Sequence, residues 1–518
     1  MGKSQAIAVS AANSSARDEA EGAARRLAGK VVVDGELRAA LTTETFVVEN
    51  PADGSAIAAA PRCAAADVER AVRAAQQAFG AWSRTPARER GRAIARVADR
   101  MEAERESLAR LLALETGNAI ATQARPEVNA AIDMLRLFAG LAGELKGKTI
   151  PWEAGTLCYT TRDPLGVVAA IIPWNVPLLL TAAKLGPALV AGNVVVLKAA
   201  EQAPLAALRV VELMQEYLPP GVANAITGFG DEAGQPLASH PLVRKVTFTG
   251  SCEVGKRILH YCADKICPVT LELGGKSPNI LLPDADLDLA VPGIITGMRF
   301  TRQGQSCSAG TRVYIHEAIY ETVIERVLEL VARLKIGDPL DEHTEVGAVI
   351  SREQLERIAG YVDIARATPG VRILCGGSSP RGAVFERGLF YTPTLIEGVP
   401  PSSPVCREEI FGPVALVSRW SDFDAVLAEA NDSDFGLAAA LWTRDLASAL
   451  AFAERIQAGF VQVNQFMTPR PNLAYGGLKA SGLGKEYSLE SMLEHFTTSK
   501  TVIVNPGSPA PLPGRGNS

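Results

Sequence analysis

The sequence predicts an α/β fold with a parallel sheet, and three observations carry that prediction. From residue 166 onward, short apolar runs alternate with amphipathic stretches of helical period, the pattern of successive βαβ units. The run Val194, Val195, Val196, Leu197 is continuously apolar, as a strand covered on both faces has to be. The residues able to do chemistry sit in the turns that follow such runs, where an open α/β sheet places its ligand crevice.

In chain order, residues 1–29 are rich in Ala, Ser, Arg and Glu and are expected to form a disordered tail. Over 66–115 long Ala/Arg/Glu-rich patterns predict helices, with Val68, Val72, Ala75 and Phe79 on one face. Strands are expected at 167–172, 193–197, 223–227 and 245–249. Helices fit between them at about 178–190, 203–217 and 231–239, and another follows Ser251. A second α/β stretch from about 280 to 480 has helices near 317–333, 351–366, 422–431 and 445–456 and strands near 414–418 and 461–464. Residues 505–518, dominated by Pro, Gly and Ser, form a second tail.

Composition bounds the function. With 47% hydrophobic and 21% charged residues over 518 positions, ordinary buried cores are available and disorder of the whole chain is excluded. The 52 basic and 57 acidic side chains leave a net charge of −5 without a dense basic run, which argues against a nucleic-acid or membrane-surface partner. The most apolar region, 166–197, is interrupted by Pro173, Asn175, Pro177, Lys184 and Asn193, so no span of about 20 apolar residues exists. Eight dispersed cysteines and a start lacking a secretory pattern fit a reducing compartment, so a cytoplasmic location is expected.

Four turns carry candidate chemistry. Gly228-Phe229-Gly230, with Ala233 closing the pattern, matches G-x-G-x-x-G/A between a strand and a helix. A direct pyrophosphate cradle and a plain strand-to-helix turn explain it about equally, because Phe248 and Thr249 stand where a ribose-binding acid is usual. Glu201, just beyond Lys198, is another acid for that task. Glu272, at the end of an apolar strand and before Gly274 and Gly275, is either a surface charge or a base. Cys307, among Ser306, Ser308, Gly304 and Gly310, is a poor core residue and a good nucleophile. His260, Cys262 and Cys267 fit no common zinc spacing and read as helix packing; no metal is expected. A Cys/His hydrolase built on Cys307 would need one of five histidines, none of which lies in a motif-like turn.

An ordered series of motifs then resembles the NAD(P)-dependent aldehyde dehydrogenase superfamily from about residue 31 to 504. The series is Pro173-Trp174-Asn175, Lys198 with Glu201, Phe248-Thr249-Gly250-Ser251, Glu272-Leu273-Gly274-Gly275-Lys276, Gly304-Gln305-Ser306-Cys307, Glu408-Glu409-Ile410-Phe411-Gly412-Pro413, Gly476-Gly477-Leu478-Lys479 and Ser481-Gly482. The resemblance implies an atypical Rossmann cofactor domain (30–145 and 165–275), an α/β catalytic domain (276–482) and a small β oligomerisation arm (146–164 and 483–504). It also implies a homodimer or homotetramer. Trp174, Lys198, Glu201, Gly228, Gly230, Ser251, Glu409 and Phe411 would contact the cofactor, which is NAD rather than NADP because Glu201 repels a 2′-phosphate.

By the same resemblance, Cys307 attacks the aldehyde carbon, Asn175 with the Cys307 N–H stabilises the oxyanion, and Glu272 activates the water that hydrolyses the thioester. The stretch 176–190 lacks aromatic residues, and Ala183 stands where many relatives carry a bulky aromatic ring. A medium-sized aliphatic or aromatic aldehyde is therefore expected, and betaine aldehyde is disfavoured, with Tyr475 and Phe466 as the aromatic residues near the mouth. Arg470 is a candidate for a substrate carboxylate, or else a solvent-facing charge. Lys184 and Lys276 read as structural ion pairs or helix-end charges. A CoA-acylating enzyme and a non-enzymatic protein on the same fold are the alternatives.

Overall fold

The computed structural model describes residues 2–507, and side chains from residue 15 onward. Five parallel strands form the middle of the first sheet, in the spatial order Ala223–Ile226, Val194–Lys198, Val167–Ile171, Val243–Thr249, Val269–Glu272. Numbered along the chain, that order is 3-2-1-4-5, so the winding reverses beside Val167–Ile171 and opens a crevice at the carboxyl ends there. The expected strands end within two residues of these. Every residue of Val167–Ile171 and Val194–Lys198 is buried, as runs of Val, Ala and Leu covered on both faces require.

The helix Pro177–Val190 carries Pro at its first position, and its first amides are capped from a distance: Glu127 Oε1 accepts from Leu178 N at 2.9 Å. Glu115 does the same for Leu205–Met214, accepting from Leu205 N and Ala206 N at 2.7 and 2.8 Å. That helix is shorter than expected, and the segment expected as one helix at 231–239 is a π turn, Gly230–Gly234, running into Gln235–Ser239.

A seven-stranded second sheet runs Arg372–Cys375, Thr394–Glu397, Val414–Trp420, Arg312–His316, Pro278–Leu281, Ala438–Trp442, Phe460–Val463, parallel except at its first pair. One crossing matters for the site. Gly482–Leu483 leaves this part of the chain and joins the edge of the first sheet, pairing antiparallel with Leu271 and Glu272. The flanking residues 475–487 are thereby laid against the end of the strand Val269–Glu272. A third sheet of three strands, Thr497–Val504, Leu157–Pro164 and Thr149–Ile150, joins the two segments expected to form an arm. Asn193 ties this arm to the first sheet, accepting from Leu165 N at 2.7 Å and donating to Phe496 O at 2.8 Å.

The expectation of a disordered N-terminal tail does not hold. Gly2–Leu27 is a helix whose Ala20, Ala24 and Leu27 are buried, and Arg26 forms a two-pronged ion pair with Glu212 at 2.6 Å. Three small side chains at spacings of four and three suffice to seat a helix whose composition otherwise promised little burial. Most of the expected C-terminal tail, from 508 on, lies outside the described residues. Among the described residues no helix is long and apolar enough to cross a membrane.

Candidate active site

A cleft of about 460 Å³ opens at the reversal point of the first sheet. Trp174, Lys198, Glu201, Gly230, Phe248 and Ser251 are among its lining residues. At one end Lys198 Nζ donates to Glu201 Oε2 at 3.3 Å, a cation and a carboxylate side by side at the tip of a strand. Such a pair offers donors and acceptors for vicinal ribose hydroxyls. Across from it Ser251 caps the twelve-residue helix Cys252–Ala263, its Oγ accepting from Val254 N at 3.3 Å, so the helix amides face the cleft as an anion-binding end. At the inner end Trp174 meets Phe411 edge to face, with centroids 5.3 Å apart. Glu409 stands beside them, its Oε1 accepting from Gly275 N at 2.8 Å while burial lifts its carboxyl to about 7. The donor set thus fits a dinucleotide.

Of the expected cofactor residues, Glu409 and Phe411 stand behind the lining beside Gly275 and Trp174, and Gly228 lies away from it. Gly228 turns at φ +115°, and a side chain there would meet the Cys63 carbonyl. Its glycine serves the close contact between the turn and Cys63, which is the plain strand-to-helix reading.

Immediately after Trp174 the backbone delivers Asn175 to the other side of this wall. Asn175 is buried and its Nδ2 donates to Gln305 O at 3.0 Å, two residues before Cys307. The second amide hydrogen of Asn175 is left over. Cys307 is only partly buried; its Sγ lies 3.5 Å from the Tyr475 hydroxyl. Among the described residues its backbone N–H has no acceptor. Burial pushes the thiol up to about 11, the Tyr475 hydrogen bond pulls it down, and the charges of Glu409 and Glu272 push it up again. The two backbones meet here: a side chain at Gly275 would sit 2.2 Å from the Cys307 carbonyl oxygen, which is why the motif carries glycine at that position. Lys276 then anchors the loop, donating to Val405 O at 2.8 Å and Glu408 O at 2.6 Å.

Glu272 ends its strand fully inside the protein, and neither carboxylate oxygen has a hydrogen-bond partner. Burial, and then the neighbouring Glu486, raise its carboxyl well above the usual range, while Lys184 and Lys485 act in the opposite direction. Glu486 is itself held, by Lys184 Nζ at 2.7 Å and by the Thr247 hydroxyl at 3.0 Å. An uncommitted buried carboxylate is costly to the fold, and Glu272 is one whose charge acts on the Cys307 thiol.

The sequence profile described as the aldehyde dehydrogenase family matches residues 39–502. The chain belongs to the aldehyde dehydrogenase family. An aldehyde dehydrogenase of Deinococcus radiodurans is 42% identical over 462 residues, covering 88% of this chain and 89% of that one. The mitochondrial aldehyde dehydrogenase of Homo sapiens is 40% identical over 481 residues, 92% of each chain. Among solved structures, PnpE in complex with nicotinamide adenine dinucleotide superposes with a TM-score of 0.91 at 40% identity, covering 94% of this chain and all of PnpE. This protein is accordingly an aldehyde dehydrogenase.

Several residues of this aldehyde dehydrogenase site escape a reading of local motifs. Tyr475 touches Cys307 and stacks on Tyr487, centroids 5.5 Å apart and nearly parallel. Glu486 and Lys485 reach Glu272 only because Gly482–Leu483 crosses to the first sheet. Their one signal in the sequence is nearness to Ser481-Gly482. Phe466, expected at the mouth, is instead buried against Gly310 and Arg299. Arg470 is exposed. Cys262 is buried in its helix while His260 faces outward, and among the described residues no three His, Cys, Asp or Glu side chains are grouped as a metal would need.

Proposed function

We propose that this aldehyde dehydrogenase oxidises a medium-sized aliphatic or aromatic aldehyde to its carboxylic acid, with NAD as hydride acceptor and NADP as the weaker alternative. One observation carries the reading: an uncommitted buried carboxylate, Glu272, acts on a part-exposed thiol, Cys307, behind a cleft suited to a dinucleotide. When bound, NAD supplies the acceptor for the hydride of the substrate. Lys198 and Glu201 would hold its adenosine ribose, Ser251 and the helix amides its pyrophosphate, Gly230 its adenine side, and Trp174, Glu409 and Phe411 its nicotinamide half. Solved neighbours in complex with NAD, PnpE and a Bacillus cereus aldehyde dehydrogenase, support this choice.

The rest is done by the chain's own groups. Cys307 as thiolate bonds to the aldehyde carbon; its raised thiol must first lose its proton to solvent water, which the Tyr475 hydrogen bond favours. The carbonyl oxygen becomes an oxyanion within reach of the spare Asn175 amide hydrogen and the Cys307 N–H, and one such donor contributes about 3–4 kcal/mol. After the carbon is oxidised the substrate remains as a thioester on Cys307. Glu272 takes a proton from water, the hydroxide attacks the acyl carbon, the carbon–Sγ bond breaks to return Cys307 as thiolate, and the carboxylic acid leaves. No metal enters this scheme. The helix Pro177–Val190 carries no aromatic side chain, which supports a medium-sized substrate. Exposed Leu157 and Ile503 on the arm sheet, with Trp152 in the loop before Leu157–Pro164, are apolar surface that a second copy would cover, as a homodimer or homotetramer requires.

The test is an aldehyde panel with NAD or NADP, with and without CoA, followed by absorbance of the reduced coenzyme. The expected result is CoA-independent reduction of NAD, fastest for aldehydes larger than acetaldehyde. Dependence on CoA would contradict the hydrolytic step, and acetaldehyde or betaine aldehyde as best substrate would contradict the size assignment.

A further inference from the structure

Most deeply placed cations near the core of this enzyme are committed among the described residues. Lys184 is bound to Glu486 and Thr247, Lys276 to two carbonyls, Arg312 to the carbonyls of Lys276 and Ala430, and Arg90 to the Val190 carbonyl. Arg302 is not. It closes the turn Phe300–Arg302, five residues before Cys307, and its carbonyl accepts from Gln305 N at 2.9 Å, so its place relative to the thiol is rigidly set. Among the described residues its guanidinium has no hydrogen bond or ion pair; Nε is wholly buried and unpartnered, yet the residue keeps part of its surface open. The titratable groups that act on it are Glu127, Cys307 and Tyr487, and it lies five residues before the thiol in the chain. Leaving a guanidinium largely desolvated and unpaired is costly to the fold.

We propose that Arg302 is the specificity-determining cation of the aldehyde pocket and binds a carboxylate carried by the substrate, so that the preferred aldehydes are semialdehyde acids. The proposal rests on the oxidation at Cys307 described above and narrows its substrate class. A planar guanidinium with free N–H groups matches a carboxylate in two-pronged fashion. The nearby charges favour it. Arg299 adds a second guanidinium, with Nη1 bound to the Thr296 and Phe466 carbonyls and Nε and Nη2 unpartnered. The opposing charge, Glu127, is engaged through Oε1 by the amides of Leu178 and Leu179, while its Oε2 is buried without a hydrogen-bond partner. The exposed Arg470 has no such confinement.

The test compares substrates with the same carbon skeleton that differ in charge: 4-carboxybenzaldehyde against 4-methylbenzaldehyde, and succinic semialdehyde against butanal. They are assayed with wild type and Arg302→Gln, alongside the melting temperature of each protein. The wild type should favour the acid of each pair in kcat/KM. Arg302→Gln should lose about tenfold or more on the acids, mainly through KM, with the neutral partners unchanged. Its melting temperature should hold or rise, because a charge without a partner is removed. Equal kcat/KM for the two members in wild type, or an equal loss on both in Arg302→Gln, overturns the proposal while leaving aldehyde oxidation standing. A lowered melting temperature with both impaired makes Arg302 a structural residue. No coenzyme reduction with any of the four aldehydes overturns the oxidation reading as well.

Discussion

Replacing Glu272 by Gln separates the two halves of the reaction, and the structure sets the size of the effect. Both oxygens of Glu272 lack partners, so the amide takes the same volume without breaking a hydrogen bond. Acylation should proceed, and deacylation should slow by the about 10²–10⁴-fold typical of a lost general base. A stopped-flow trace should then show a burst of reduced coenzyme near one equivalent per thiol, followed by a slow steady rate. Stability should change with pH in a defined sense. A carboxyl group raised well above 4.5 in the fold stays protonated where the unfolded chain has already ionised, so it removes stability as pH rises above 4.5 towards its folded value. Glu272→Gln lacks that loss, and its melting temperature should match wild type in acid and exceed it increasingly towards neutral pH. Burst and steady rate reduced alike, or a variant that loses melting temperature as pH rises, would refute the assignment.

Three further outcomes follow from the same geometry. Asn175→Ala should lower kcat/KM by about 10²–10³-fold and slow the burst itself, since the lost donor acts on the first oxyanion; a normal burst in rapid-mixing kinetics would contradict this. Glu201→Gln should narrow the preference for NAD over NADP by about tenfold, the 1.4 kcal/mol that one relieved charge contact readily supplies; an unchanged ratio of the two kcat/KM values would contradict this. Gly275→Ala should cost about 1–3 kcal/mol in denaturant unfolding and remove activity, because the new methyl falls 2.2 Å from the Cys307 carbonyl oxygen; a fully active variant would contradict this.

The parts of the site that local motifs reveal are those built within one turn. Trp174 and Asn175 are adjacent and part to opposite sides of one wall, and Lys198 and Glu201 lie on a single strand end. The continuous apolar runs likewise located the central strands, because a strand buried on both faces admits few other residues. Lys485, Glu486 and Tyr487 are illegible for a different reason. Their position depends on a two-residue strand that pairs with Leu271 and Glu272 across the chain, and such a pairing has no periodicity to betray it. Helix Gly2–Leu27 was missed because alanine supplies helix propensity without visible hydrophobic contrast. Gly228 was misplaced because a glycine needed for backbone approach to Cys63 looks, in sequence, like one needed for a ligand.

The central claim is a covalent bond between Cys307 and the carbon being oxidised. Intact-mass measurement of Glu272→Gln, quenched in acid seconds after mixing with NAD and a substrate aldehyde, tests it most directly. An added acyl group that maps by peptide fragmentation to Cys307, and that is missing from Cys307→Ala, is the predicted result. Acid product formed at an undiminished rate by Cys307→Ala, or an acyl group carried on another residue, would contradict it.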